Sequence, residues 1–336
     1  MKSAFLLSCV FLSAFSAPAV WAAEPPKNRV QDRTQDRLQE RFVKDKALCE
    51  DIHGPAAQTR VAACTRALAF NVKDARLWFY RAYAWDDLED PRRSVLDLGT
   101  AIKFDPEYAD AYYNRGLAHF SLKQYALALA DYSRVLELEP EDPDTWLNRG
   151  NVYYAQKNLA QALADYEQVL VLEPEYPKGL YNRALIWTEL GEHDKALRDY
   201  THLILLMPNE IEHYLKRAWI YALQAEFAEA EADLNVALEL LPDAPNSLET
   251  LAWVYYLQGK TEAARGVFVK LWPLIEGPAD WAVWIEEHQA QLLTGLTPSE
   301  SQKQTLQALL QKARESDELN DLKAVYEAFL ALRAAD

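Results

Sequence analysis

Arginine and aspartate recur sixteen residues apart at five places in this chain: Arg81/Asp97, Arg115/Asp131, Arg149/Asp165, Arg183/Asp199 and Arg217/Asp233. A guanidinium and a carboxylate either pair through charge-assisted hydrogen bonds or offer their charges to a ligand. The chain contains its own control. The matching positions after the last pair hold Leu251 and Val267, and those before the first hold Ala47 and Ala63. Both charges vanish together, as a paired interaction predicts, because either partner left alone in a partly buried seam is strongly destabilising. The expectation is a row of structural ion pairs; a ligand-reading arginine ladder is the alternative.

Other chemistry is sparse. His53, His119, His193, His202, His213 and His288 fall into no metal-ligand spacing. His119 and His193 fill slots where sister segments carry packing aromatics or other core residues. Ten glycines in 336 residues leave little for a phosphate-cradling loop, and there is no nucleophile elbow. Carboxylates on solvated helices leave a paired-carboxylate hydrolase as the one enzymatic alternative. The expectation is a protein that is not an enzyme, with no cofactor and no metal.

The elements that position these residues follow from a period. Pro106, Pro140, Pro174, Pro208 and Pro242 stand 34 residues apart, and a fixed period of that length marks stacked repeats. The same offsets recur between them: an aromatic or Leu (Trp78, Tyr112, Trp146, Leu180, Tyr214, Leu248), then a small residue four later (Ala82, Gly116, Gly150, Ala184, Ala218, Ala252). A second small residue follows twelve further on (Ser94, Ala128, Ala162, Ala196, Ala230, Ala264), and an aromatic or aliphatic four after that (Leu98, Tyr132, Tyr166, Tyr200, Leu234, Phe268). Small residues on either side of turn-prone segments such as Leu122-Lys123-Gln124 let two antiparallel helices approach closely, and the ring fills the space that remains. Six such hairpins span 75–278. One hairpin cannot cover its own apolar face, so neighbours must stack.

The ends differ from the middle. Residues 1–22 carry Lys2, an apolar run from Ala4 to Phe15, and small residues before a cut after Ala22, which is the pattern of an export signal. A cut after Ala19 and an uncleaved membrane anchor are the alternatives. Leu6-Leu7-Ser8-Cys9 has the letters of a lipoprotein box, but its apolar stretch is far too short. Residues 23–44 read as a charged helical or disordered linker, with Gln-Asp-Arg repeated every four residues; a spacer is expected, a partner-docking arm the alternative. Residues 45–74 form a degenerate hairpin with Arg60 in place of a small residue and Val72 in place of proline. Its turn, Gly54-Pro55, sits near the midpoint of Cys49 and Cys64, which places the two opposite each other on adjacent helices. A disulfide there is expected in an oxidising compartment; two buried thiols are the alternative. Residues 279–336 leave the repeat and read as three capping helices, 280–293, 299–314 and 317–334, with Trp281, Trp284 and Ile285 packing on Trp272 and Leu271.

Charge and hydropathy narrow the partner. The formal net charge is −16 and there is no basic run, which argues against nucleic acid as a partner and favours neutral or basic ones. Half the residues are apolar (50%), yet beyond the leader no apolar stretch nears the roughly 18 residues that a membrane span needs.

The repeat columns resemble the tetratricopeptide repeat family, in which a Trp, Leu-Gly, Tyr, Ala, Phe and Pro follow at set spacings. The spacing is met well; the Leu before the Gly is replaced here, usually by Arg. The resemblance implies an all-α, right-handed superhelical solenoid with a helical cap, whose concave face is lined by the first helix of each repeat and holds peptides. On this chain that lining is Phe79, Tyr83, Tyr113, Leu117, Phe120, Leu147, Asn151, Tyr154, Tyr181, Leu185, Leu215, Trp219, Trp253 and Tyr256, part of it inter-repeat core. Some family members clamp a C-terminal carboxylate with lysines and asparagines. Asn114, Asn148 and Asn182 match the asparagine element, but apolar residues stand at the lysine sites and only Lys178 is near. The implied function is an exported, periplasmic or extracellular scaffold that binds a partner peptide or helix; the alternative is a solenoid stacking end to end on its own copies.

Overall fold

The computed structural model describes residues 29–271, together with residues 274 and 308. The signal expected at residues 1–22, Trp272, and the cap expected over 279–336 with Trp281, Trp284 and Ile285 lie outside the described residues. The chain divides into two compact units at Pro106/Glu107. Among the described residues the ordered elements are fourteen α-helices, with no strand. The first unit holds α1 (Arg29–Glu50), α2 (Ala57–Leu68), α3 (Ala75–Asp86) and α4 (Pro91–Phe104). The second holds α5 (Ala109–Ser121), α6 (Tyr125–Leu138), α7 (Pro143–Ala155), α8 (Leu159–Leu172), α9 (Pro177–Glu189), α10 (His193–Leu206), α11 (Ile211–Leu223), α12 (Phe227–Leu240), α13 (Pro245–Leu257) and α14 (Thr261–Leu271).

Local signals fix each helix end. Pro91, Pro143, Pro177 and Pro245 occupy the first turn, where a missing N–H costs nothing. Asp74, Asp90, Asp142 and Asn158 accept hydrogen bonds from the first free N–H groups. At the other end, the residue before each periodic proline is driven out of helical geometry by the proline ring. Asp105, Glu139, Glu173, Met207 and Leu241 all sit at φ between −132° and −138°.

The turn inside each hairpin is a Schellman cap. Glu89, Lys123, Lys157, Gly191, Ala225 and Gly259, again 34 apart, all have φ between 56° and 77°. The following N–H reaches back to the carbonyl five residues upstream, as in Gln124 to His119 (2.8 Å) and Glu192 to Trp187 (2.9 Å). Only two of the six are glycine, so the other four carry the Cβ penalty of the left-handed region.

Within a hairpin, the small residue of the first helix faces the ring of the second. A Cβ added to Gly150 would meet the Tyr166 ring at 2.6 Å, and one on Gly116 would meet Tyr132 at 2.7 Å; both tyrosines are fully buried. Between hairpins of the second unit, each second helix packs on the next first helix. One such core joins Leu147 of α7 and Ala162, Tyr166 and Val169 of α8 to Ile186 of α9. The leading aromatic ties the entry: Trp146 Nε1 donates to the Pro140 carbonyl at 2.9 Å and the Tyr214 hydroxyl to that of Pro208 at 3.1 Å. Trp78 makes the same bond to Val72 (2.7 Å), so the carbonyl keeps its role where the proline is lost.

The first unit is stapled differently. Cys49 of α1 and Cys64 of α2 are disulfide-bonded, with Cα atoms 4.8 Å apart. A single helix runs from the charged segment into this hairpin, and most of its side chains over 35–44 are exposed. Ala63 is buried but Ala47 is exposed, and the helices are tied by the reverse pair, Arg66 of α2 donating to buried Asp45 of α1 at 2.6 and 2.9 Å. The hydrogen bonds from Arg66 hold Asp45 below the usual carboxylate range. Arg60 is buried too, bonds Asp87 at the end of α3 and lies 5.9 Å from the centre of the Tyr83 ring.

Turn and staple can be tested by denaturation. Ala225→Gly and Lys157→Gly each stabilise the chain by about 0.5–1 kcal/mol in urea, whereas Gly191→Ala loses about 1 kcal/mol; lowered midpoints for both glycine variants contradict the cap. Joint Cys49→Ala and Cys64→Ala substitution costs about 3 kcal/mol, with faster hydrogen exchange concentrated in α1 and α2.

Candidate functional site

All five sixteen-apart pairs meet across their hairpins: Arg81 with Asp97, Arg115 with Asp131, Arg149 with Asp165, Arg183 with Asp199, and Arg217 with Asp233. Each arginine donates from Nε to one carboxylate oxygen and from Nη2 to the other, at 2.6 to 2.9 Å. The seam is partly buried, more deeply on its acidic side. Asp97, Asp131, Asp165, Asp199 and Asp233 are buried, with 4–6% of their surface exposed, each beside the buried Leu or Tyr that follows it in the second helix. The five arginines are half-buried. No aspartate of the ladder is thus open to a ligand.

The arginines are committed further. Arg81, Arg149 and Arg217 use Nη1 as well, donating to Thr65, Ser133 and Thr201 on the preceding second helix at 3.2, 3.2 and 3.0 Å. Arg81 and Arg149 also lie 4.6 and 4.7 Å from the centres of Trp78 and Trp146. Asp97 takes an additional bond from Trp85 Nε1 at 3.1 Å. Donation to the aspartate pushes the guanidinium pKa up at Arg115, Arg149, Arg183 and Arg217. With their donors held inside the protein, these arginines close hairpins. In the sixth hairpin Leu251 and Val267 meet in an apolar cluster instead.

The side of the second unit formed by its first helices carries the rings. Tyr113, Phe120, Tyr154, Tyr181, Leu185 and Trp219 are half-buried, and Leu117 is exposed. Leu147 and Tyr256 are buried and serve the core. Leu215 and Trp253 are buried as well, yet each lends an edge to a cavity. Phe79 and Tyr83 are half-buried on α3 of the first unit.

Polar groups between the rings are largely matched. Asn148 donates to the Tyr113 hydroxyl at 2.7 Å. Asn151 Oδ1 accepts from both Tyr166 (2.8 Å) and Asn182 (2.9 Å), and Asn114 donates to the Asp110 carbonyl at 2.8 Å. The three asparagines weighed for a carboxylate clamp therefore spend their amides on the scaffold. Tyr154 bonds Glu189, and Tyr181 donates to Glu212 at 3.3 Å. Burial, reinforced by neighbouring carboxylates, pushes Tyr113, Tyr154 and Tyr181 up to about 12, so all three are neutral phenols at physiological pH.

Two cavities open along this side. One of about 260 Å³ is lined by Phe120, Asn151, Tyr154, Ala155, Tyr166, Asn182 and Leu185 of α5, α7, α8 and α9. The other, about 400 Å³, lies between α11 and α13 and adds Glu212, Lys216, Asn246, Glu249 and Thr250 to Leu215, Trp219 and Trp253. Sequence reasoning overlooked these polar residues. Glu249 was findable, for it stands one period after Phe79, Tyr113, Leu147, Tyr181 and Leu215 and is the acid in that column. Burial pushes its carboxyl up to about 7. Among the described residues no cluster of His, Cys, Asp and Glu is arranged to hold a metal, and no helix is long and apolar enough to cross a membrane.

Paired antiparallel helices of fixed length, stacked second helix on first, define an α-hairpin repeat protein. Tetratricopeptide repeats lie within the chain: the tetratricopeptide repeat profile matches residues 109–142 and 143–176, and a related TPR repeat profile matches 93–123. A tetratricopeptide repeat protein from Parabacteroides merdae is similar in structure, with 19% identity, a TM-score of 0.60, and coverage of 77% of this chain and 99% of that one. The C-terminal part of a TPR repeat-containing protein from Cytophaga hutchinsonii matches with 16% identity and a TM-score of 0.57, covering 70% and 93%. The pilF protein of Pseudomonas aeruginosa matches with 17% identity and a TM-score of 0.52, covering 66% and 98%. These likenesses concern the fold. No curated protein matches the chain in sequence.

Removing one member of a ladder pair tests the pairing. Arg149→Leu alone strands buried Asp165 and costs about 3–5 kcal/mol. Joint Arg149→Leu and Asp165→Val substitution, copying the sixth hairpin, recovers most of that loss in a double-mutant cycle; equal losses for single and double variants contradict the pairing. For Glu249, the folded-state value lies above its ordinary 4.5. Stability tied to its protonated form is therefore complete below about pH 4.5 and is lost as pH rises through about 7. Glu249→Gln removes that loss, so the variant exceeds the parent by on the order of 1–3 kcal/mol at pH 8 and by little at pH 4.5.

Proposed function

We propose that this chain is a non-enzymatic scaffold that holds a polypeptide partner, an extended segment or a helix, against the first-helix side of its second unit. The observation that carries this reading is the row of half-buried rings, Tyr113, Phe120, Tyr154 and Tyr181, of which Phe120 and Tyr154 line a cavity whose polar groups are already partnered. Such a surface gives up little hydration on binding, and its rings add large contact area at small cost in side-chain entropy. The committed arginine ladder supports recognition by rings over recognition by a charged clamp.

The place of action is an oxidising compartment outside the cytoplasm. The leader-like residues 1–22 and the joined Cys49 and Cys64 support it, since such a bond persists where thiols are not kept reduced. The acidity of the chain, at a formal −16, supports a neutral or basic partner and disfavours nucleic acid.

The test compares partners captured by cross-linking in the native compartment for the parent and for a folded triple variant, Tyr113→Ala, Tyr154→Ala and Tyr181→Ala. The reading predicts that the variant loses the proteins the parent captures while keeping its helical circular dichroism. An unchanged set of partners refutes it.

A further inference from the structure

The third residue of each hairpin's first helix is buried. Leu77, Ala111, Thr145, Gly179 and Ser247 fill that position in five hairpins, and α11 places a titratable ring there, His213. His213 is 6% exposed, and neither Nδ1 nor Nε2 has a hydrogen-bond partner within the protein. Its ring lies against Tyr181 of α9, with centroids 5.9 Å apart. Tyr181 in turn meets buried Tyr200 of α10 edge to face, at 6.2 Å and 80°. The Tyr181 hydroxyl donates to Glu212, the residue before His213, at 3.3 Å, and Lys216 lies 3.3 Å from the same carboxylate. A member of the ring row is thus held by α11 from two sides, through an imidazole and through a carboxylate.

The neutral imidazole is the form this setting accommodates. A protonated ring has two N–H donors to satisfy and a charge to strip of water. Burial pushes His213 below its ordinary 6.5, and Glu210 and Glu212 of its own helix offset part of that. What α9 presents to it is Tyr181, and α10 contributes Tyr200 behind that ring; burial pushes both phenols up, so neither supplies charge. Stability tied to neutral His213 is therefore complete above pH 6.5 and is lost as pH falls below it. To carry a proton the ring must leave Tyr181 for solvent or draw Glu212 away from the Tyr181 hydroxyl.

We infer that His213 is an acid-sensitive latch: when it takes up a proton, the first turn of α11 loosens from α9 and Tyr181 loses its fixed place in the ring row. The latch itself needs no partner; its consequence, that acid weakens the hold on a polypeptide, rests on the function proposed above.

The experiment measures hydrogen exchange of the full chain at high and low pH, corrected for the intrinsic pH dependence of amide exchange. It compares the parent with His213→Leu and His213→Ser, which copy α3 and α13 at this position. The latch predicts that amides of α9 and of the start of α11 in the parent exchange roughly threefold or more faster at about pH 5 than at about pH 7.5. It predicts no such change in α7 and α8, and no acid effect in either variant. Glu249 acts with the opposite sign, losing its contribution as pH rises, and is common to all three chains, so it cancels in the comparison. In the parent, the imidazole signal that either substitution removes titrates with a midpoint below 6.5. A midpoint at 6.5 or above, acceleration shared equally by α7 and α8, or an acid effect that survives both substitutions overturns the latch. The two ideas fail separately, because the triple tyrosine variant is judged at neutral pH, where the latch is closed, and the exchange measurement involves no partner.

Discussion

A two-helix hairpin has apolar surface on both sides and can hide only one of them by folding on itself, so it is stable only when a copy lies against it. That constraint dictates much of this chain. Hairpins of equal length stack most simply, which makes every column of the sequence repeat at 34. Small residues at Gly116 and Gly150 bring the paired helices together over Tyr132 and Tyr166. The arginine–aspartate pairs then fix how the two helices align. Such pairs give register more surely than stability, and their replacement by Leu251 and Val267 in the sixth hairpin shows that apolar contact can close the same seam.

Because stacking consumes the seams, the proposed function falls to what projects between first helices. The same periodicity that builds the core lines up one residue from each hairpin along that side, and there the chain places rings. Their hydroxyls and the adjacent asparagines satisfy one another, as in the set joining Asn151, Tyr166 and Asn182. The result is a surface that is apolar in contact yet internally hydrogen-bonded. Acid enters it at Glu212 and Glu249, towards α13, and this end has a different chemistry from the stretch around Tyr113 and Tyr154.

The repeat architecture was legible in the sequence because proline, small residue and ring recur without slippage, and each has a local physical consequence: a broken helix, a close approach, a filled gap. The ladder was legible as pairs, but how deeply Asp97, Asp131, Asp199 and Asp233 sit was not, since depth depends on the rings and neighbouring helices that close over them. The left-handed turn residues were less visible, since only Gly191 and Gly259 advertise themselves while Lys157 and Ala225 accept the same conformation. The Asp45–Arg66 pair was missed because its charges swap helices, so a search for arginine followed by aspartate passes over it. Exposure within the ring column was illegible for a related reason. Leu147 is buried while Tyr154 of the same helix is half-buried, and only packing decides which of them faces the core.

The claim at the centre of this account is that partner polypeptides lie along the first helices and not along the second. A photo-cross-linking amino acid in place of Leu117, which is 38% exposed on α5, tests it against the same group in place of Leu205, 76% exposed on α10. The account predicts partner adducts from position 117 and none from position 205. Adducts from 205 without any from 117 would contradict it.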